Sequence, residues 1–331
     1  MVEVLLRLSF EERYRSPQEM LRLALLAKTA AENLDPEAYD ALLIADHQAR
    51  AWAELGNAYR VNDELAEAEA AFDHAEERLR LGTGNLHLLA RVADLRASLM
   101  NTQRRLSDAC ELLAQVYQLY RKVGDDHLAG RALVSQGIYT NYEGDPRGAL
   151  RLLHRGLELV DRERDPQIAA AASESALEAL VQCGEFRQAA KMLLESGLRQ
   201  ALAGEPLSLV KLRWVEGQIL AGLKKAARAE AALTEARAGF LAHQQGYNAA
   251  LVGLDLAAVW LEQRKNAEVE ALAAEMLATF QRLGIQREAV RAMEYLNQAC
   301  QKQRATPRIV RQVSGFLKQL EREPQLRFVA V

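Results

Sequence analysis

The 331-residue sequence predicts an all-α protein, a solenoid of antiparallel helix pairs. Composition is the first reason. Ala and Leu, both strong helix formers, dominate, while only 7 Pro and 19 Gly occur, mainly at the ends of periodic segments. The second reason is a recurring small or apolar position, Gly56, Ala97, Gly137, Leu177, Gly217 and Ala257, at steps of 41, 40, 40, 40 and 40 residues. The third is a companion series, Ala68, Ala109, Ala149, Ala189, Ala229 and Val269, always 12 residues further on. Two registers held in step over six units mean two helices per unit, with the turn between them.

Trp52-Ala53-Glu54-Leu55-Gly56-Asn57-Ala58-Tyr59, followed by Ala68, Phe72 and Ala75, carries the clearest motif. Trp52, Leu55 and Tyr59 share one face of a first helix. Gly56 and Ala68 let the second helix approach, and Phe72 fills the space toward the next pair. This segment resembles the tetratricopeptide signature W-x₂-L-G-x₂-Y…A-x₃-F, although the period here is about 40 residues instead of about 34. The excess corresponds to roughly one and a half helical turns. The resemblance is strongest over 49–280. It departs at Leu177, where a small residue is expected, and around Leu95-Arg96-Ala97, where the Leu is displaced by one. The longer unit is similar to the helical sensor regions of some bacterial transcription regulators and to stand-alone bacterial repeat proteins. The resemblance implies a right-handed superhelix whose first helices line a concave, partner-binding groove.

Turn signals support the phase. Asn62-Asp63, Gly144-Asp145-Pro146, Cys183-Gly184-Glu185 and Arg264-Lys265-Asn266 fall inside units; Gly82-Thr83-Gly84-Asn85, Val123-Gly124-Asp125, Asp165-Pro166, Gly204-Glu205-Pro206 and Leu283-Gly284 fall between them. Ser16-Pro17-Gln18-Glu19 is a helix-start signal. The expected organisation is an N-terminal helical cap or partial repeat over 1–48, six repeats over 49–283, and capping helices with a tail over 284–331. The apolar end, Leu326 to Val331, either docks on the last helices or serves as a short partner-binding tail.

A net charge of −3 argues against a nucleic-acid partner. The apolar run Leu21–Ala31 contains Arg22 and Lys28 and cannot cross a bilayer, and the first residues lack signal-peptide order, so a cytoplasmic protein is expected. Cys110, Cys183 and Cys300 are odd in number and far apart, which fits free thiols. No metalloprotease, CxxC, P-loop or nucleophile-elbow motif occurs, and the six His are scattered. Gly82-Thr83-Gly84 follows no strand and reads as a linker. Glu174 and Glu178, at i, i+4, read as a solvated helix face. No enzyme activity, cofactor or metal is therefore expected.

Counting the small residue as position eight of each unit, positions two, five, nine and twelve share a face. The resemblance makes that face the groove. Position two supplies Arg50, Arg91, Arg131 and Lys211; position five, Trp214; position nine, Asn57, Ser98 and Gln218; position twelve, Arg60, Asn101 and Asn141. The face begins polar and basic and ends apolar, with Trp214, Leu251, Leu254 and Leu261. Ala53 stands where a chaperone-tail clamp needs Lys, so that partner is not expected. These residues read either as a surface for a protein or peptide carrying an acidic segment, or as struts and core. Free arginines on an open face favour the first; arginines each held in an intramolecular ion pair favour the second. The function expected is a protein–protein interaction scaffold; the alternative is a ligand- or peptide-responsive sensor module.

Overall fold

A computed structural model describes residues 1–13 and 15–330, and all regular secondary structure among them is helical. The hairpin α1 (Val2–Glu12) and α2 (Pro17–Glu32) comes first. First and second helices then alternate through α3 (Ala41–Val61), α4 (Leu65–Arg80), α5 (Leu86–Thr102), α6 (Leu106–Lys122), α7 (Asp126–Glu143) and α8 (Pro146–Leu159). The chain continues through α9 (Pro166–Gln182), α10 (Phe186–Glu195), the short α11 (Leu198–Ala201), α12 (Pro206–Gly222), α13 (Ala226–Ala242), α14 (Gly246–Glu262) and α15 (Asn266–Arg282). It closes with α16 (Arg287–Gln301) and α17 (Pro307–Arg322). Both expected series are buried throughout, from Gly56 and Ala68 to Ala257 and Val269. Ser16 caps α2 by accepting the Glu19 N–H at 3.3 Å.

The hairpin turn has one repeated geometry. The residue seven positions after the small residue adopts a left-handed backbone in all six units: Asp63, Arg104, Gly144, Gly184, Lys224 and Arg264, with φ between 59° and 95°. Gln303 repeats it between α16 and α17, so the last two helices follow the same hairpin plan. Only two of these seven residues are glycine, the residue that pays no steric cost there.

Close approach explains the small residues. A Cβ on Gly56 would lie 3.0 Å from the Phe72 ring, one on Gly137 2.8 Å from Leu153, and one on Gly217 2.6 Å from Leu233. The large residue sixteen positions later therefore sits directly over the glycine. Gly130 and Gly156 form a second close approach, between the backbones of α7 and α8: a Cβ on either would come within 3.0 Å of the other's carbonyl oxygen.

The chain divides into two compact units, Met1–Ala172 and Ser173–Val331. In the first, separate clusters bind successive helices. Phe72, fully buried, packs with Ala49, Ala53, Leu88, Val92 and Leu99, while Val2, Leu6, Ala27 and Ala51 hold α1 and α2 to α3. Arg96 of α5 bonds Glu69, Asp73 and Glu76 along α4 at 2.8–2.9 Å and ties these helices on their polar side. In the second, one continuous core runs from Leu220 to Leu320.

Two features depart from the expected regularity. The second helix of the fourth unit breaks at Ser196-Gly197, where Gly197 has φ +66°; Leu194 at the end of α10 is exposed, and α11 buries Leu198. Helix α17 packs on α14 as well as α16. Its Val310, Val313, Phe316, Leu317 and Leu320 share a core with Leu251 and Leu254. The apolar end expected in the groove is therefore filled at these two positions by the chain's own helix. The tail follows α17: Phe328 packs on Tyr295 and Phe316, its N–H bonds Glu288 at 2.9 Å, and Gln312 donates to the Val329 carbonyl. Val331 lies outside the described residues.

Candidate functional site

A cavity of about 590 Å³ opens in the first unit beside the N-terminal halves of the first helices. Four helices build it. Helix α1 contributes Glu3, Leu6, Arg7 and Phe10; α3 contributes Leu43, Asp46, His47, Arg50 and Glu54; α5, with its cap Asn85, adds His87, Leu88 and Arg91; α7 adds Leu128. Five apolar side chains face a set of charged ones. The sequence places them together through the 40-residue period, because equal positions on successive first helices become neighbours.

The charges are mostly paired across helices. Arg91 donates through Nε and Nη2 to Glu54 Oε1 at 2.9 and 2.8 Å, and lies 3.9 Å from Asp94. Arg131 pairs with Asp165 at 3.0 Å. Arg50 pairs with Glu3 at 2.6 Å, and His47 lies 3.7 Å from the same carboxylate. Asp46 accepts from the Thr83 backbone and hydroxyl and thereby holds the α4–α5 loop. Burial pushes the Asp94 carboxyl above its usual range, against the pull of Arg91 and Arg131. Burial also raises the Tyr120 hydroxyl well above its ordinary value, next to Asp94; the hydroxyl oxygen has no hydrogen-bond partner. His87 stands edge-on to the Tyr120 ring at 5.6 Å.

The free row Arg50, Arg91, Arg131 is therefore not what the fold contains: each guanidinium has a carboxylate of its own chain. Paired charges shed less solvation when buried than lone ones, which favours this arrangement on a half-enclosed face. By the criterion above, all three arginines favour the strut reading. The Arg50–Glu3 pair differs in being much more exposed.

The other expected residues lie away from the cavity. Asn57 is buried and accepts from Arg60 at 2.9 and 3.1 Å. Ser98 donates to the Asp94 carbonyl at 3.2 Å. Asn101 is half-buried near the end of α5, and Asn141 is buried with its carbonyl oxygen unpaired. In the second unit, Trp214 Nε1 and Gln218 Nε2 both donate to Asp255 of α14, at 2.6 and 2.7 Å, and Trp214 packs on the core beside Phe240. Lys211 lines a small cavity with Glu174 and the exposed Glu178; burial raises the Glu174 carboxyl, and Lys211 opposes the shift.

Sequence reasoning missed Glu3, Arg7, Phe10, His47, Glu54 and His87. The sequence marks residues 1–48 as a cap or partial repeat and shows the histidines only as scattered. Glu54 carried one usable signal, an acid one turn past Arg50 in the best-defined unit.

His127 joins the start of α7 to the segment after α8 by accepting the Asp161 N–H at Nδ1, 3.1 Å away. Burial lowers its pKa, and Arg164 and Arg131 add to the shift. The folded value lies below the unfolded one, so the contribution to stability is whole above about pH 6.5 and is lost as pH falls through the folded value. A His127→Asn variant keeps an acceptor but cannot titrate. Between pH 7.5 and 5 its melting temperature should fall less than that of the wild type; equal falls would remove His127 from the acid response.

Burial pushes the Cys300 thiol up to about 11 and raises Cys110, which keeps both protonated. No group of three His, Cys, Asp or Glu placed to hold a metal occurs among the described residues. No helix among them is long and apolar enough to cross a membrane.

Fold and site together define an all-α helical-repeat protein with a polar-rimmed cavity on its first-helix side. No family model and no curated protein matches the sequence. Solved structures match the fold. A Rap protein complexed with competence and sporulation factor superposes with a TM-score of 0.61 at 12% identity, covering 98% of this chain and 92% of that one. The apo form of RapI gives 0.59 at 10% identity, covering 86% and 98%. Aspartyl phosphate phosphatase F from Bacillus subtilis gives 0.58 at 13%, covering 82% and 68%.

Proposed function

We propose that this chain is a non-enzymatic binding module that holds a segment of a protein or peptide in the cavity formed by α1, α3, α5 and α7. The observation that carries the reading is the cavity: about 590 Å³, within the range of roughly 300–1,000 Å³ typical of ligand sites, with apolar walls and several polar groups converging on it. Leu6, Phe10, Leu43, Leu88 and Leu128 suit an aliphatic or aromatic side chain. Arg7 and the exposed Arg50 suit an acidic residue beside it. Free thiols at Cys110, Cys183 and Cys300 support a reducing, cytoplasmic setting.

A sensor role is the second reading. It is favoured by the position of α1, which is both a wall of the cavity and a short helix held by few buried side chains. Occupancy then changes how firmly α1 is held. One of the structures sharing this fold was solved with competence and sporulation factor bound, which supports the same reading.

The test is selection of binders from a displayed random-peptide library, followed by titration of the selected peptides. Leu43→Trp fills the cavity from its exposed rim. It should weaken binding at least about tenfold, a loss near 1.4 kcal/mol, with the helical circular dichroism unchanged. Peptides that bind the variant as well as the wild type would place the site elsewhere.

A further inference from the structure

The three position-two arginines of the first unit differ in how firmly their carboxylates are committed. Glu54, which holds Arg91, is 8% exposed, and Asp165, which holds Arg131, is 22% exposed. Glu3, which holds Arg50, is 48% exposed, and Arg50 itself is 42% exposed. Exposed pairs are screened by salt and hold weakly, whereas one broken inside leaves an unsolvated charge. Glu3 is thus the partner most cheaply displaced. It also comes from another helix, 47 residues earlier in the chain, and approaches from the α1 side of the cavity.

The surroundings of Glu3 are those of an anion site. His47 Nδ1 lies 3.7 Å from its second oxygen. Arg7, one turn along α1, lines the same cavity, and none of the described carboxylates is paired with it. Apolar walls from Leu6, Leu43 and Leu88 adjoin these cations.

We propose that Arg50, flanked by His47 and Arg7, is a carboxylate seat, and that Glu3 is an internal stand-in for the ligand's carboxylate. The inference rests on the peptide-binding reading and specifies its chemistry: a peptide-like molecule with a carboxylate next to aliphatic side chains. Binding exchanges one ion pair for another. Arg50 releases Glu3, takes the incoming carboxylate in the fork geometry that guanidinium favours, and frees α1 from one of its ties.

The probes are N-acetyl-leucyl-leucine, which ends in a carboxylate, and its C-terminal amide, which has the same side chains and no charge. Both are titrated by calorimetry into the full chain. Glu3→Gln removes the competitor while keeping the size of the side chain. The carboxylate probe should bind this variant about fivefold more tightly than the wild type, and the amide should bind both alike. Arg50→Gln should abolish the preference for carboxylate over amide, with the helical signal unchanged. Raising salt should narrow the preference in the wild type. If Glu3→Gln leaves the carboxylate-to-amide ratio unchanged, or weakens both probes, Glu3 is a strut and the seat is wrong. If both probes bind equally to all three proteins, only the seat falls and the cavity reading survives. If neither probe binds any of them, while library peptides excluded by Leu43→Trp do bind, the seat alone is again overturned; failure of both experiments removes the peptide reading itself.

Discussion

Replacing Phe72 with Ala is expected to cost about 3–5 kcal/mol, the range for deleting a fully enclosed phenylalanine. The ring is completely buried and lies 3.0 Å from the Cβ direction of Gly56. Its neighbours explain why the loss should fall at the high end. On the α3 and α4 side, Ala49, Ala53, Ala68 and Ala75 have no side-chain length with which to close the gap, so of the buried residues in this cluster only Leu88, Val92, Leu95 and Leu99 of α5 can move into it. Urea denaturation followed by circular dichroism measures the effect. Because repeats stabilise mainly their neighbours, the transition should broaden or split as well as move. A loss below about 1 kcal/mol would mean that Phe72 does not bridge α3, α4 and α5.

Gly156→Val should be of similar size by the opposite route, overpacking. A Cβ there meets the Gly130 carbonyl oxygen at 3.0 Å, the Val134 nitrogen at 3.1 Å and the Val134 Cγ2 at 2.7 Å. Two of those three atoms are backbone and cannot rotate away, so α7 and α8 must separate. The expected cost is about 3 kcal/mol or more. Gly156→Ala separates the competing terms: Ala gains roughly 1 kcal/mol of helix propensity, so the clash equals the net destabilisation plus that gain. If the alanine variant is more stable than the wild type, the backbones are not in limiting contact. Thermal denaturation of both variants decides between these outcomes.

The repeat was legible because it rests on residues whose size is the message. Gly56, Gly137 and Gly217 sit under Phe72, Leu153 and Leu233, and nothing larger fits. The helix-pair register and the turn positions follow from the same spacing. Gly130 and Gly156 escaped notice because they stand outside the two series. The break at Gly197 escaped because one Ser-Gly step inside a second helix looks like any tolerated glycine. The site was less legible than the fold for a different reason. The position-two arginines were visible, but their partners, Glu3, Glu54 and Asp165, follow no single repeat offset: Glu3 is on the terminal hairpin, Glu54 on α3, two helices before Arg91, and Asp165 just before α9, two helices after Arg131. Trp214 reads from the sequence as either an anchor or a core residue, and what settles its place, the acceptor Asp255, lies 41 residues away. Helix α17 followed the hairpin plan in its turn, but its packing against α14 depended on an amphipathic face with no periodic counterpart.

The two cores imply different grains of motion. From α13 to α17 one uninterrupted apolar network joins every helix, so no helix there can open without disturbing the packing of the others. Around α1 to α5 the buried side chains form small patches, such as the one joining Val2, Leu6, Ala27, Ala31 and Ala51. Separate patches let single hairpins open and close below the global unfolding free energy, as independent foldons. The cavity lies in this fine-grained part. A ligand that bridges α1, α3, α5 and α7 would tie together segments that otherwise exchange with solvent on their own, so its affinity would appear as slowed amide exchange across several helices. Binding there would be read out as local order across the hairpins that the ligand bridges.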